Sequence, residues 1–367
     1  MTVLPGRQRR RDWPLALISV TALLVCLFYA YANSILAPLP GFTFDAQWNV
    51  VSIDTCDSAD ESCAGNQDKL QVGDRLTTIG DLTNDAYNSR EWLVPFEGYG
   101  PGQVVPITLI HGNDERQIDW QMPANNTGAN ISRLFGNLLL FIPFWLAGTV
   151  VLLLLRPRDT RWRLLISFNY LTALWLLIGN TSVSQVAFSA LLSPVISWLI
   201  APVYLHLHLV IPAPLLDRRY RYSIPPLYAI AILLAVLTLF QQNSGWNYLS
   251  GLVIAIALSF GLLVFRFFDN SSKAGRPAAR LMLTGIGLAF GPSILLWVLP
   301  QLLNREPGFL ATGVALFSIP VLPLFYTYAI YKRHLGSLEF RVNNLISRYS
   351  FILLYLTAFA VAFFWGA

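Results

Sequence analysis

Apolar runs of about 20 residues recur along this chain, and no other feature restricts its fold as severely. At about 1.5 Å per residue, a helix of that length crosses a hydrocarbon core of about 30 Å. A soluble core does not need such runs in series. Nine segments qualify: 13–35, 134–155, 164–182, 188–211, 225–241, 247–268, 281–303, 308–331 and 349–367. Only 12% of the residues are charged, against about 25% in a typical soluble domain. The chain therefore reads as a polytopic α-helical membrane protein of about nine spans, in contact with the lipid bilayer.

The charges divide by location. Residues 37–133 hold 14 Asp and Glu but only five Lys and Arg. Of the 25 Lys and Arg in the chain, 19 fall in the amino-terminal tail and in the loops after the second, fourth, sixth and eighth spans. The short loops on the other side hold only Arg305. The positive-inside rule then puts the amino terminus in the cytoplasm and residues 37–133 outside a cell membrane. A basic balance of this kind is a topology signal, and no nucleic-acid partner is read from it. The first span is too long for a usual signal peptide and reads as an uncleaved anchor, although Ala30-Tyr31-Ala32 mimics a cleavage site.

The chain divides into five parts. Residues 1–36 are a basic tail and anchor, and 37–130 an external domain. A block of seven spans occupies 131–331, a cytoplasmic amphipathic link 332–348, and a ninth span 349–367. Four of the spans carry the interior prolines Pro143, Pro194, Pro202, Pro292, Pro320 and Pro323, read as kinks that neighbouring helices can satisfy. Gly287 and Gly291 form one GxxxG, a packing signal.

The external domain reads as β-rich. "GFTF" (41–44), "WNVVSI" (48–53) and "DRLTTI" (74–79) have strand composition. "PITLI" and "ERQIDW" flank "HGND" as a hairpin, with Ile107, Leu109, Ile118 and Trp120 alternating. Residues 84–94 read as a helix capped by Thr83 or Asn84. Cys56 and Cys63 stand six residues apart in an oxidising compartment, which favours a disulfide over a metal site. Cys26 reads as a packing residue.

The order strand, strand, "LQVGDRLTTIGD" (70–81), helix, "PGQ", hairpin resembles a bacterial PDZ domain over residues 41–123. Leu70, Gly73, Asp74, Leu76 and Ile79 carry the likeness, while Gly80-Asp81 departs from the family's turn. The resemblance implies peptide capture by strand addition, between the strand Asn49, Val50, Val51, Ser52, Ile53 and a helix bearing Tyr87 and Trp92. At the other end, "YAIYKRHLGSLEF" (328–340) with its apolar face Leu335, Leu338, Val342, Leu345 and Ile346 forms an interfacial link. Together with the order of parts, it resembles the sensor half of ComP-type quorum-sensing histidine kinases.

That likeness implies the sensory input module of a bacterial two-component kinase. An external peptide or protein would be its signal, and a response regulator would be engaged only through a cytoplasmic domain beyond Ala367. Nine spans from a cytoplasmic start end outside, so a tenth would be needed. A homodimer is left open. The alternatives are a PDZ-bearing scaffold or quality-control protein without kinase output, and a transporter. Residues 1–367 hold no HExxH, Walker A or Gly-x-Ser-x-Gly run and no phosphoacceptor motif, so no catalytic residue, metal ligand or cofactor is assigned. His206, His208 and Asn169 are polar residues within spans and hence functional candidates. The two histidines point about 200° apart on a helix and cannot share a metal. The plainer reading is hydrogen bonding within the bundle, and for Asn169 a bond between helices.

Overall fold

The computed structural model of the chain describes residues 13–45, 47–53, 66, 69–89, 92–112, 114–123, 127–155, 158–211, 220–240, 247–269, 275–302, 309–332, 344, 346–348, 350–355 and 357–358. Cys56, Cys63 and most of the 332–348 link lie outside these residues, as does most of the segment 349–367.

The first helix, α1 (Trp13–Tyr31), ends in a π turn (Ala32–Leu36). Then follow β1 (Phe42–Phe44), β2 (Val50–Ile53), β3 (Arg75–Ile79), β4 (Leu82–Thr83), α2 (Asn84–Ser89), β5 (Val104–His111) and β6 (Asp114–Gln121). The helical block comprises α3 (Thr127–Leu154), α4 (Thr160–Thr181), α5 (Ser189–Val210), α6 (Tyr220–Phe240), α7 (Asn247–Phe268), α8 (Gly275–Ser293), α9 (Phe309–Ser318) and α10 (Val321–Tyr331).

Among the described residues, seven helical segments are long and apolar enough to cross a membrane. They match seven of the expected spans, and the fifth expected span appears as a shorter apolar helix, Ile224–Phe240. This is a polytopic helical membrane protein carrying a small β-rich region. Pro143, Pro194 and Pro202 sit inside unbroken helices. Pro292 precedes a π turn (Ile294–Val298), and Pro320 separates α9 from α10.

Gly287 and Gly291 face open space, so that GxxxG makes no close contact. The close approach occurs at Gly285, where an added Cβ would lie 2.5 Å from the Phe325 Cβ on α10. The spacing rule identified the right helix and the wrong face of it.

The β region holds a four-stranded antiparallel sheet in the order β4-β3-β5-β6 and a β1-β2 ribbon. Val105, Ile107 and Leu109 of β5 point inward in alternation, as period 2 requires. They meet Leu70, Leu76, Ile79, Trp48 and Trp120 in one core. The ribbon joins the sheet through Val50 N–H to Asp74 O (2.8 Å) and Leu76 N–H to Trp48 O (2.9 Å). Asp74 is 1% exposed and accepts from Gln71 N–H (2.9 Å), His111 Nδ1 (2.6 Å) and Arg116 Nη2 (3.3 Å). One carboxylate thus ties the loop before β3 to the β5-β6 hairpin.

The helix expected over 84–94 is shorter, Asn84–Ser89, and Trp92 lies in the following turn with 46% of its surface exposed. Pro95 disfavours helical backbone at the residue before it, which limits any continuation.

Candidate functional site

Among the described residues, the hydrogen bonds from α2 of the β-rich domain to the helical block go to the turn between α4 and α5. Two short 3-10 turns, Ser182–Ser184 and Val186–Phe188, make that connection. Gln185, Ala187 and Phe188 all take left-handed backbone, with φ of 53°, 54° and 59°. None is glycine, and each such residue costs of order 1 kcal/mol or more. Conformations of this kind persist where surrounding contacts over-determine them.

Those contacts are present. The Tyr87 hydroxyl on α2 donates to Val183 O (2.7 Å), and Gln185 Nε2 donates to Tyr87 O (3.2 Å). Gln185 is buried beneath the domain at 5% exposure. From the other side, the Tyr29 hydroxyl on α1 donates to Ala187 O (3.0 Å). Val94 of the domain packs with Ala32, Ala37 and Val186. Below the turn, Asn137 on α3 accepts from Asn33 (3.1 Å) and Asn180 (2.9 Å) and donates to Ser34 Oγ (3.1 Å). This network ties the π turn after α1 and the end of α4 to α3.

Tyr87 also reports on the seam. Burial pushes its phenol up from 10.0 to about 12, against a smaller opposing pull from Gln185. A raised phenol pKa means that docking is at full strength below pH 10 and is lost as pH rises through about 12. The Trp48 ring lies 5.2 Å from the Tyr87 ring. An alkaline titration of tryptophan fluorescence should therefore show a step between pH 10 and 12 that is missing in Tyr87→Phe. Identical curves for the two chains would contradict the docked geometry.

Of the expected ligand-binding residues, Tyr87 is at this seam, and Trp92 lies exposed in the turn after α2. Asn49–Ile53 is paired with β1 on one side and, among the described residues, only at Asn49 and Val50 on the other. Phe42 pairs with Ile53, Thr43 with Ser52 and Phe44 with Val50 on one side, while Asn49 bridges Arg75 on the other. Among the described residues β1 pairs with β2 alone. Among the described residues the ribbon therefore has two outer sides, β1 over Phe42–Phe44 and β2 over Val51–Ile53. Beside β1 opens a cleft of about 130 Å³, lined by Phe42, Thr43, Phe44, Phe96, Arg133, Asn180 and Ser184 among others.

The membrane histidines lie at the opposite end of α5 from the seam. His208 is fully buried, with Nδ1 2.8 Å from Tyr204 O and Nε2 2.8 Å from the Tyr326 hydroxyl on α10. A carbonyl can only accept, so Nδ1 carries the proton and Nε2 accepts from Tyr326. Phe168 of α4 stacks on Tyr326 at 5.7 Å. His208 thus links α4, α5 and α10. His206 turns the other way, with Nδ1 3.2 Å from the Tyr228 hydroxyl on α6. Among the described residues Asn169 makes no bond between helices: its Nδ2 donates to Leu165 O of its own helix (2.8 Å), and its Oδ1 has no partner there. Gly148 lets α3 approach closely there, since an added Cβ would lie 3.2 Å from the Asn169 Cβ.

Sequence reasoning missed Gln185, Val183, Asn180 and Tyr326. Asn33, Asn137 and Asn180 carried a usable signal, since all three stand near span ends on one side. The class of protein is set by these observations as a polytopic helical membrane protein with a β-rich domain clamped to one inter-helix turn. No protein-family model, curated protein or solved structure matches the chain.

Proposed function

We propose that the chain is the membrane input module of a bacterial two-component sensor histidine kinase. In this reading the β-rich domain is a PDZ-like receptor outside the cell membrane, with the amino terminus in the cytoplasm. A peptide or protein signal alters its grip on the α4–α5 turn. The single observation that carries the reading is the clamp itself, Tyr87 and Gln185 on a turn with three non-glycine residues at positive φ. A contiguous layer, Phe168, His208 and Tyr326, then joins the far part of α4 and α5 to α10. A passive anchor has no need of a domain held against a costly turn.

Orientation is tested by labelling. In spheroplasts, an impermeant maleimide should label Thr43→Cys above the wild-type background and should not label Ser271→Cys. The reverse pattern would overturn the orientation. Function is tested with membranes carrying the full reading frame and labelled ATP. Autophosphorylation should occur, and Tyr87→Phe, which removes only the hydroxyl, should change it by about fivefold, the equivalent of one lost hydrogen bond of about 1 kcal/mol in a two-state balance. Absence of phosphorylation would remove the kinase reading in favour of a scaffold.

A further inference from the structure

Arg266 is the one charged residue in the sequence of α7. Leu252, Ala255, Ser259 and Leu263 form the buried row of that helix at three- and four-residue spacing, and Arg266 continues the row. Basic residues near span ends commonly turn outward to the interface. Arg266 does not: it is 6% exposed, and its Nη2 donates to Leu209 O in the last turn of α5 (3.1 Å). Its Nε and Nη1 are buried and have no partner. We propose that Arg266 anchors a binding site for a phosphate group at this end of α5 and α7.

Three observations carry the assignment. First, capping α5 accounts for one donor of the five that a guanidinium holds. A neutral amide could make that bond equally well, so the cap explains neither the charge nor the two nitrogens left over. A buried cation with unfilled donors is costly unless an anion answers it. Second, no carboxylate of the chain answers it among the described residues, where both ion pairs belong to Asp74 in the β-rich domain. Third, a second cation attends the same place. Arg276 of α8 holds its guanidinium 5.7 Å from the ring centre of Phe267, the residue after Arg266. The occupant is therefore an oxyanion, and water alone would fill donors without offsetting charge.

The surroundings favour a phospholipid head group as the source. Arg266 lies two residues before the end of α7, about 3 Å along the helix axis, at the depth where a span meets the head groups. Phosphate is the oxyanion that every phospholipid carries there, and basic pockets between membrane helices take such groups. Phe265 and Phe268 are exposed beside it and offer an apolar surface to acyl chains. An occupant would sit next to the layer that joins α5 to α10, because Leu209 follows His208. The inference goes beyond the sensor reading and holds for either orientation of the chain.

The test uses the full chain in nanodiscs that mix phosphatidylglycerol with a phosphate-free diglucosyl diacylglycerol of the same acyl chains. Native mass spectrometry reads which lipid stays bound as the bilayer is stripped away. A preference of about tenfold for phosphatidylglycerol is expected, as one charge-assisted bond gives. Arg266→Gln, which can still cap Leu209 O, should abolish the preference. Arg280→Gln removes the same charge from an exposed position of α8 and should change it by less than about twofold, since exposed charges are screened. In a second arm, inorganic phosphate at millimolar concentration is added to nanodiscs of the glucolipid alone, and thermal stability is measured. Stabilisation there, lost in Arg266→Gln and without any lipid preference, would assign the site to soluble phosphate. Equal retention of the two lipids with no effect of inorganic phosphate overturns the proposal on the wild-type chain alone. A lipid preference that survives in Arg266→Gln, or that falls as far in Arg280→Gln, overturns it as well.

Discussion

Asp74→Ala should strongly destabilise the β-rich domain while leaving the helical block's stability unchanged. Asp74 is 1% exposed and takes three hydrogen bonds, two of them from His111 and Arg116 side chains. Bonds to a charged group contribute about 1.5–3 kcal/mol each, and breaking a buried ionic arrangement costs about 3–5 kcal/mol. His111 and Arg116 are partly exposed and recover some solvation, so a loss of about 3 kcal/mol is expected. A domain of this size has only about 5–15 kcal/mol in total. Its melting temperature should fall by roughly 12–24 °C. Trp48 and Trp120 lie in the domain core, so near-ultraviolet circular dichroism should register the change. The far-ultraviolet helical signal should persist at temperatures where the tryptophan signal is lost. A drop of less than about 1 kcal/mol would mean that the carboxylate is not the tie described.

Gly285→Val should be the most damaging single change in the helical block. The Phe325 Cβ, fixed to the α10 backbone, stands where the new side chain would begin. A flexible side-chain tip could swing aside, but a Cβ moves only with its helix. Forced overpacking costs about 1–3 kcal/mol where side chains can adjust, and more is expected where a helix must shift. Lipid gives no hydrophobic compensation for parting two helices, because association there rests on close packing. Gly287→Val, two residues on and facing open space, is the matched control and should be near neutral. Thermal unfolding in detergent, read by retention of the monodisperse peak, compares the two. Equal stability of both variants would contradict the packing of α8 on α10.

Much of the fold was legible because membrane helices obey one strong constraint. Every backbone group must be paired in lipid, so length and hydropathy suffice to find a span. The alternation of Ile107 and Leu109 likewise announced a half-buried strand. The seam was much less legible. Strands β1 and β2 are three and four residues long, too short for alternation to say which sides are outer. The helix expected to reach Val94 stops at Ser89 among the described residues. Gln185, Ala187 and Phe188 adopt left-handed backbone without the glycine or asparagine that normally signals it. Arg266 was counted as a loop cation, yet it is 6% exposed, donates to Leu209 O (3.1 Å), and leaves Nε and Nη1 unpaired. In each case tertiary contact decided the outcome.

The central claim is that the domain's clamp on the α4–α5 turn is felt at α10. Spatial continuity through Phe168, His208 and Tyr326 is a reason to expect this coupling, and only a measured response establishes it. Leu324 on α10 is exposed and has no part in that layer, so Leu324→Cys can carry a trifluoromethyl label without disturbing it. The decisive measurement is the fluorine NMR spectrum of that label in nanodiscs, with and without Tyr87→Ala. The account predicts that releasing the clamp shifts the resonance or redistributes it between two positions. Superimposable spectra, with the domain shown to be folded in both, would contradict it.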